Sequence, residues 1–210
     1  MILIAGDGAS GSSYLVWLLR ELGKTTCPKG YEQFYPDLST GEPVLYELLR
    51  EKRIRNAMTS GEQIDWNSVD VIKHLGGFSY DLHSWVDRFQ WRVDLVLIVT
   101  RGLEEGIRRR WAQDPGHQPT HKFLQMDHKL FCGLNREQID DRIRKVVRER
   151  IGAAVLQCID YGYEFQVLPF PRFVKDPKFL YEALKPVLKQ DFGEFYNIYS
   201  RITWQDVKVY

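Results

Sequence analysis

Met1-Ile2-Leu3-Ile4-Ala5-Gly6-Asp7-Gly8-Ala9-Ser10-Gly11-Ser12-Ser13-Tyr14-Leu15 is the stretch that decides the fold. Residues 1–5 are apolar without polar alternation, the pattern of a strand covered on both faces of a parallel sheet. From Ser12 to Leu22 the residues Leu15, Leu18, Leu19 and Leu22 fall at helical spacing, and Gly23 closes that helix. What lies between is a glycine- and serine-rich strand-to-helix turn. Such a turn gathers backbone N–H groups and the positive end of a helix dipole around one point, which makes it an anion site in waiting.

Gly6, four intervening residues and then Gly11-Ser12-Ser13 reproduce the spacing of a P-loop, with Ser12 standing where a phosphotransferase carries lysine. That lysine holds the β- and γ-phosphates, so its replacement argues against a conventional ATP- or GTP-dependent kinase. The competing explanation is a tight turn in which Ser12 or Ser13 merely caps the helix.

Outward from this turn, strand and helix patterns alternate. Residues 70–73 and 95–100 read as strands, residues 164–168 as the last core strand, and 169–171 as a turn. Helices are expected at 44–56, 81–89, 103–111, 136–161 and 178–188, the last opened by Asp176-Pro177. Residues 25–37 and 114–120, with their prolines and glycines, read as loops, and 201–210 as an aromatic tail. Apolar strands alternating with helices predict one α/β domain over 1–210, a three-layer, P-loop-type parallel sheet flanked by helices. Ligands of such a sheet bind at the carboxyl ends of its strands.

Composition bounds the function. The 210 residues are 44% hydrophobic and 27% charged, ordinary globular proportions, and the formal charge of +1 gives no bulk attraction for nucleic acid or an anionic membrane. No apolar run approaches the roughly 20 residues that cross a bilayer. Residues 1–4 lack a basic lead-in and run straight into glycines, so they read as a strand rather than a signal peptide, and the expected location is cytoplasmic. Cys27, Cys132 and Cys158, odd in number and far apart, fit reduced thiols. His117, His121, His128 and Cys132 match no standard zinc spacing, and Pro119 interrupts them, so no metal is expected.

Ala9-Ser10-Gly11-Ser12-Ser13-Tyr14-Leu15 resembles the 5′-phosphosulfate loop of the P-loop sulfotransferases, which transfer a sulfuryl group from 3′-phosphoadenosine 5′-phosphosulfate (PAPS). Ile72-Lys73-His74-Leu75 is similar to the family's strand end bearing the histidine base, and Val99-Thr100-Arg101-Gly102-Leu103 to its 3′-phosphate arginine strand. Residues 168–184, with Phe173-Val174-Lys175-Asp176-Pro177, look like the late strand, Asp-Pro turn and helix. The likeness spans most of the chain and is sharpest in the first segment. It implies PAPS as cofactor and an acceptor hydroxyl or amine as second substrate. Gly8, Ala9, Ser10, Gly11, Ser12 and Ser13 would hold the 5′ end, and Arg101 and Arg109 would approach the 3′-phosphate. This chain departs from the pattern at Ala9, where the family has a basic residue, and at Arg109, where it has a serine.

Sulfuryl transfer needs a base for the acceptor proton and a cation for the leaving oxygen. His74 is the candidate base, against a loop histidine bonded to the Gly76-Gly77 turn, and Lys73 is a candidate for the missing cation. For Arg101 the rival explanation is a salt bridge to Glu104 or Glu105, and Arg108-Arg109-Arg110 could equally be a solvated helix end. Trp66, Trp85, Trp91 and Trp111 read as packing residues. Two other functions compete: a divergent nucleotide or nucleoside kinase using Arg108 or Arg110, and a non-catalytic P-loop protein that binds a nucleotide or a partner protein.

Overall fold

The computed structural model describes residues 1–6, 10–26, 56, 60, 65–113 and 133–202. Strands β1 (Ile2–Gly6), β2 (Val71–Lys73), β3 (Leu95–Arg101) and β4 (Phe165–Phe170) form one all-parallel sheet in the order β2-β1-β3-β4. In register, Ile4 lies opposite Lys73 and Leu97, Gly6 opposite Val99, and Arg101 opposite Phe170. The carboxyl ends of all four strands therefore share one edge.

The helices are α1 (Ser12–Glu21), α2 (Leu75–Phe89), α3 (Leu103–Gln113), α4 (Arg136–Asp160), α5 (Arg172–Lys175), α6 (Pro177–Leu184) and α7 (Phe192–Arg201). Side chains alternate across a strand, and both faces here are apolar. Ile2, Ile4, Leu95, Leu97 and Val99 pack with Leu15 and Leu19 of α1, Phe173 of α5, Leu180 of α6 and Phe195 of α7. Leu3, Ala5, Ile72, Val96 and Ile98 pack on the other side with Phe78 and Leu82 of α2 and Ala154 and Cys158 of α4. A helical layer covers each face of the sheet, and a smaller cluster joins Ile107 of α3 to Ile139, Ile143 and Val147 of α4. No helix among the described residues is long and apolar enough to cross a membrane.

Several boundaries differ from those expected. Helix α2 begins at Leu75, six residues before the expected start at 81, so Gly76 and Gly77 lie inside its first turn. A Cβ at Gly77 would come within 2.4 Å of His74 Nε2, so this position is glycine because the imidazole fills the space a side chain would need. At Asp81, the expected first residue, a φ of −147° and ψ of 39° kink the helix instead. Pro169 and Phe170 continue β4 instead of turning, which an end strand of the described sheet tolerates because it has a free hydrogen-bonding side. Helix α6 stops at Leu184 and passes into a 3-10 turn over Lys185–Val187, where Pro186 cannot donate to an α-helical ladder. Helix α7 is an addition to the expected elements. The expected helix at 44–56 and loops at 25–37 and 114–120 fall largely outside the described residues, as does the tail at 201–210.

Trp66 and Trp91 are buried in the α2 and α4 layer, with Trp85 partly buried against it, and Trp111 donates from Nε1 to Asp140 at 2.7 Å. Cys158 is a buried free thiol, and burial pushes its pKa up to about 11. Cys27 and Cys132 lie outside the described residues.

Candidate functional site

The carboxyl edge is built first by glycines. Gly6 ends β1 with φ of 116°, and a Cβ there would sit 2.2 Å from the Val99 carbonyl oxygen, so only glycine lets the chain turn off the sheet at this point. Ser79 of α2 fastens the same residue. Its buried hydroxyl accepts from the Gly6 N–H at 3.2 Å and lies within donating distance of the Leu75 and Gly6 carbonyls, at 2.6 and 3.1 Å. After Gly6, the candidate residues Gly8 and Ala9 lie outside the described residues.

Ser10 is fully buried, and Gly11 is the N-cap of α1, with φ of 81°. A Cβ on Gly11 would meet Phe170 Cδ2 at 2.6 Å and Phe173 Cζ at 3.0 Å. Glycine also has no side chain with which to cap, so the first-turn amides of α1 receive no hydrogen bond from their N-cap residue. The positive end of the helix thus opens beside Ser12 and Ser13.

Two cations reach this end of the sheet from neighbouring strands. Lys73, the last residue of β2, is 8% exposed and donates from Nζ to Ser13 Oγ at 3.3 Å. Arg101, the last residue of β3, is 5% exposed, and its guanidinium lies 4.0 Å from the centroid of the Phe170 ring. Phe170 is the residue that crowds Gly11, so it forms the wall between Arg101 and the start of α1. Glu104 is held by Arg144, with N–O distances of 2.8 and 2.9 Å, and Glu105 by Arg108 at 2.7 Å. These are the partners that the two acids take in place of the salt bridge weighed for Arg101.

His74 is adjacent to Lys73 in sequence but faces the opposite way, as successive residues at a strand end do. Its imidazole packs edge-on against Phe78 and Trp85, each with ring centroids 5.5 Å away, and its backbone forms the N-cap position of α2. The structure therefore brings Ser10, Gly11, Ser12, Ser13 and Lys73 together, with Arg101 behind Phe170, while His74 is turned toward α2. Arg109 lies on α3, and its side chain is outside the described residues.

Tyr14 follows Ser13 on α1 and stacks edge-on against Tyr199 of α7 at 6.3 Å. Burial, reinforced by Tyr199, holds its hydroxyl well above the ordinary tyrosine range, so it stays neutral at any physiological pH. Among the described residues no group of three His, Cys, Asp or Glu side chains is placed to hold a metal, and His117, His121, His128 and Cys132 lie outside them.

Ser79 and Phe170 were not legible as site residues. Ser79 sits in a segment that reads as a glycine turn, and Phe170 between two prolines reads as part of a bend. The pairing of β3 with β4 brings Phe170 to the edge beside Arg101, and the packing of α2 brings Ser79 onto Gly6.

The donor set at this edge, a lysine ammonium, two serine hydroxyls and the first-turn amides of a helix whose N-cap residue gives them no side-chain bond, suits an oxyanion such as a phosphate or phosphosulfate. No family model matches the chain, and no curated protein matches it in sequence.

Proposed function

We propose that the carboxyl edge is a P-loop-type anion site and that the chain is a sulfotransferase-like transferase, moving a sulfuryl group from PAPS to an acceptor hydroxyl or amine. The observation that carries this reading is the Lys73 ammonium set 3.3 Å from Ser13 Oγ at the start of α1. A buried cation beside a helix N-terminus adds positive field where the dipole is already positive, an arrangement that favours an anion with more than one charge.

PAPS supplies the sulfuryl group and a phosphate leaving group. The amides of residues 10–13 and the hydroxyls of Ser12 and Ser13 orient the 5′ end, and the resemblance assigns Gly8 and Ala9 to the same loop. Lys73 stands in for the basic residue that Ala9 lacks, and its ammonium stabilises the charge that gathers on the departing phosphate oxygen. Arg101 and Arg109 neutralise the 3′-phosphate, for which a guanidinium fork is well suited. The base that the resemblance implies is His74, whose ring faces α2, so it must turn toward Lys73 to accept the proton that the acceptor hydroxyl loses on attack.

The test is calorimetric titration with adenosine 3′,5′-bisphosphate, the product nucleotide. Saturable binding is expected, and no heat at millimolar ligand would remove the PAPS assignment. Binding of magnesium–ATP with none of the bisphosphate would transfer the reading to a kinase. His74→Ala should abolish turnover while leaving nucleotide affinity near wild type, and undiminished turnover would take His74 out of the mechanism.

A further inference from the structure

Helix α4 carries a side chain that reaches into the kink of α2. In a regular α-helix the His83 N–H would donate to the Ser79 carbonyl four residues back. The Gln157 carboxamide engages both of these groups: its Oε1 accepts from His83 N–H at 3.3 Å, and its Nε2 donates to the Ser79 carbonyl at 3.1 Å. It also donates to Ala153 in its own helix at 3.3 Å, so its orientation is set from below. Asp81, with its non-helical φ and ψ, lies midway between the two bridged positions. An inserted polar side chain is one of the recognised causes of a helix kink.

Ser79 is the residue whose hydroxyl grips Gly6 through both its N–H and its carbonyl. We propose that Gln157 is a positioning residue for the anion-binding edge: its carboxamide fixes the α2 kink, the kink sets the Ser79 hydroxyl, and Ser79 fixes the residue from which the loop departs. Gly6 can take up no slack elsewhere, because the Val99 carbonyl already occupies the space on its other side. The relay uses neutral groups throughout, and it runs from a helix on the outer layer to the sheet edge in two side chains.

The ligand arm of this proposal rests on the function proposed above; the coupling itself does not. The experiment is amide hydrogen exchange of the full chain by NMR, comparing wild type with Gln157→Met, Ser79→Ala and the double variant. Each single change is expected to speed exchange at the Gly6 amide by about tenfold, with no further gain in the double variant and unchanged rates in the middle of β3. Affinity for adenosine 3′,5′-bisphosphate should fall about tenfold in both single variants. Gln157→Glu keeps the acceptor for His83 and loses the donor to Ser79, and it serves in the same assay if the methionine variant does not fold. Wild-type exchange at Gly6 in the Gln157 variants, or additive effects in the double variant, would overturn the relay. A loosened Gly6 with undiminished affinity would overturn the positioning role. Should wild-type protein bind no bisphosphate, the functional reading falls by itself and hydrogen exchange still decides the relay.

Discussion

Helices α1 and α7 begin in opposite ways. Helix α7 opens with a complete capping box, in which Asp191 accepts from Glu194 N–H at 2.9 Å and Glu194 reaches back to the Asp191 N–H. Helix α4 does the same with Asn135 and Gln138, and α6 is capped by Asp176. Helix α1 opens on Gly11 in the left-handed region with no side-chain cap, and a lysine from β2 stands over its first turn. At α4, α6 and α7 the N-cap side chain satisfies a first-turn amide, a contribution of about 1 kcal/mol each, whereas α2 and α5 begin, like α1, without a side-chain cap. At α1 a lysine from the neighbouring strand lies beside the first turn instead. What the contrast singles out is that pairing of an uncapped start with a buried cation.

The strongest way to break that contrast is Gly11→Ala. The added Cβ is strained by a φ of 81° and collides with Phe170, so a loss of about 2–3 kcal/mol in unfolding free energy is expected by urea titration. An alanine that costs nothing there would mean that the turn is not built as described. Next in size is Lys73→Gln, which should weaken adenosine 3′,5′-bisphosphate by about tenfold or more in calorimetry, since a charged donor to phosphate is lost. Equal affinity would detach Lys73 from the site.

Asn135→Ala and Asp191→Ala probe the other side of the comparison. Each should lower stability by about 1 kcal/mol and leave bisphosphate affinity untouched. A change in affinity with either would show that structural caps and the candidate site are not separate.

The smallest effect belongs to a third kind of helix start. Helix α3 places Glu104 and Glu105 in its first turn, and Arg144 of α4 clamps Glu104. The hydrogen bond from Arg144 holds the Glu104 carboxyl below its ordinary value. A carboxyl whose folded pKa is depressed contributes stability that is complete above its unfolded pKa and fades as the pH falls through the folded one. Thermal melts of Arg144→Met should therefore fall less steeply than wild type as the medium is acidified below about pH 5, with the two converging at the acid end. The pair is exposed, so a shift of a degree or so, about the size expected of a surface ion pair, is the outcome to look for. A gap that widens in acid would contradict the assignment.

Much of the architecture was legible because it depends on short-range pattern. Residues 1–5 and 95–100 carry apolar side chains at every position, and a strand covered on both faces needs that. Helix α4 announces itself by its 3.6-residue apolar stripe and the Gly162 that ends it. Helix α2 was harder, because Gly76 and Gly77 signal a turn locally. Gly77 is glycine because the His74 ring occupies the place of a side chain, a contact no propensity contains. Helix α7 was missed although Asp191 and Glu194 carry its start signal, because Phe192, Phe195 and Tyr199 mix with polar residues and read as a surface segment until they meet the α1 face.

The candidate site divides in the same manner. By itself the chain's order of residues determined that a glycine turn joins the first strand to the first helix, and that Lys73, His74 and Arg101 lie at the carboxyl ends of their strands. Backbone sterics and apolar periodicity are local properties, so they can be read along the chain. Which of those side chains meet was decided only by the packed sheet. Parallel register sets Lys73 beside the start of α1, the pleat turns His74 toward α2, and Phe170 comes between Arg101 and Gly11. Such contacts join residues roughly sixty to one hundred and sixty positions apart, and no local rule specifies a partner at that separation.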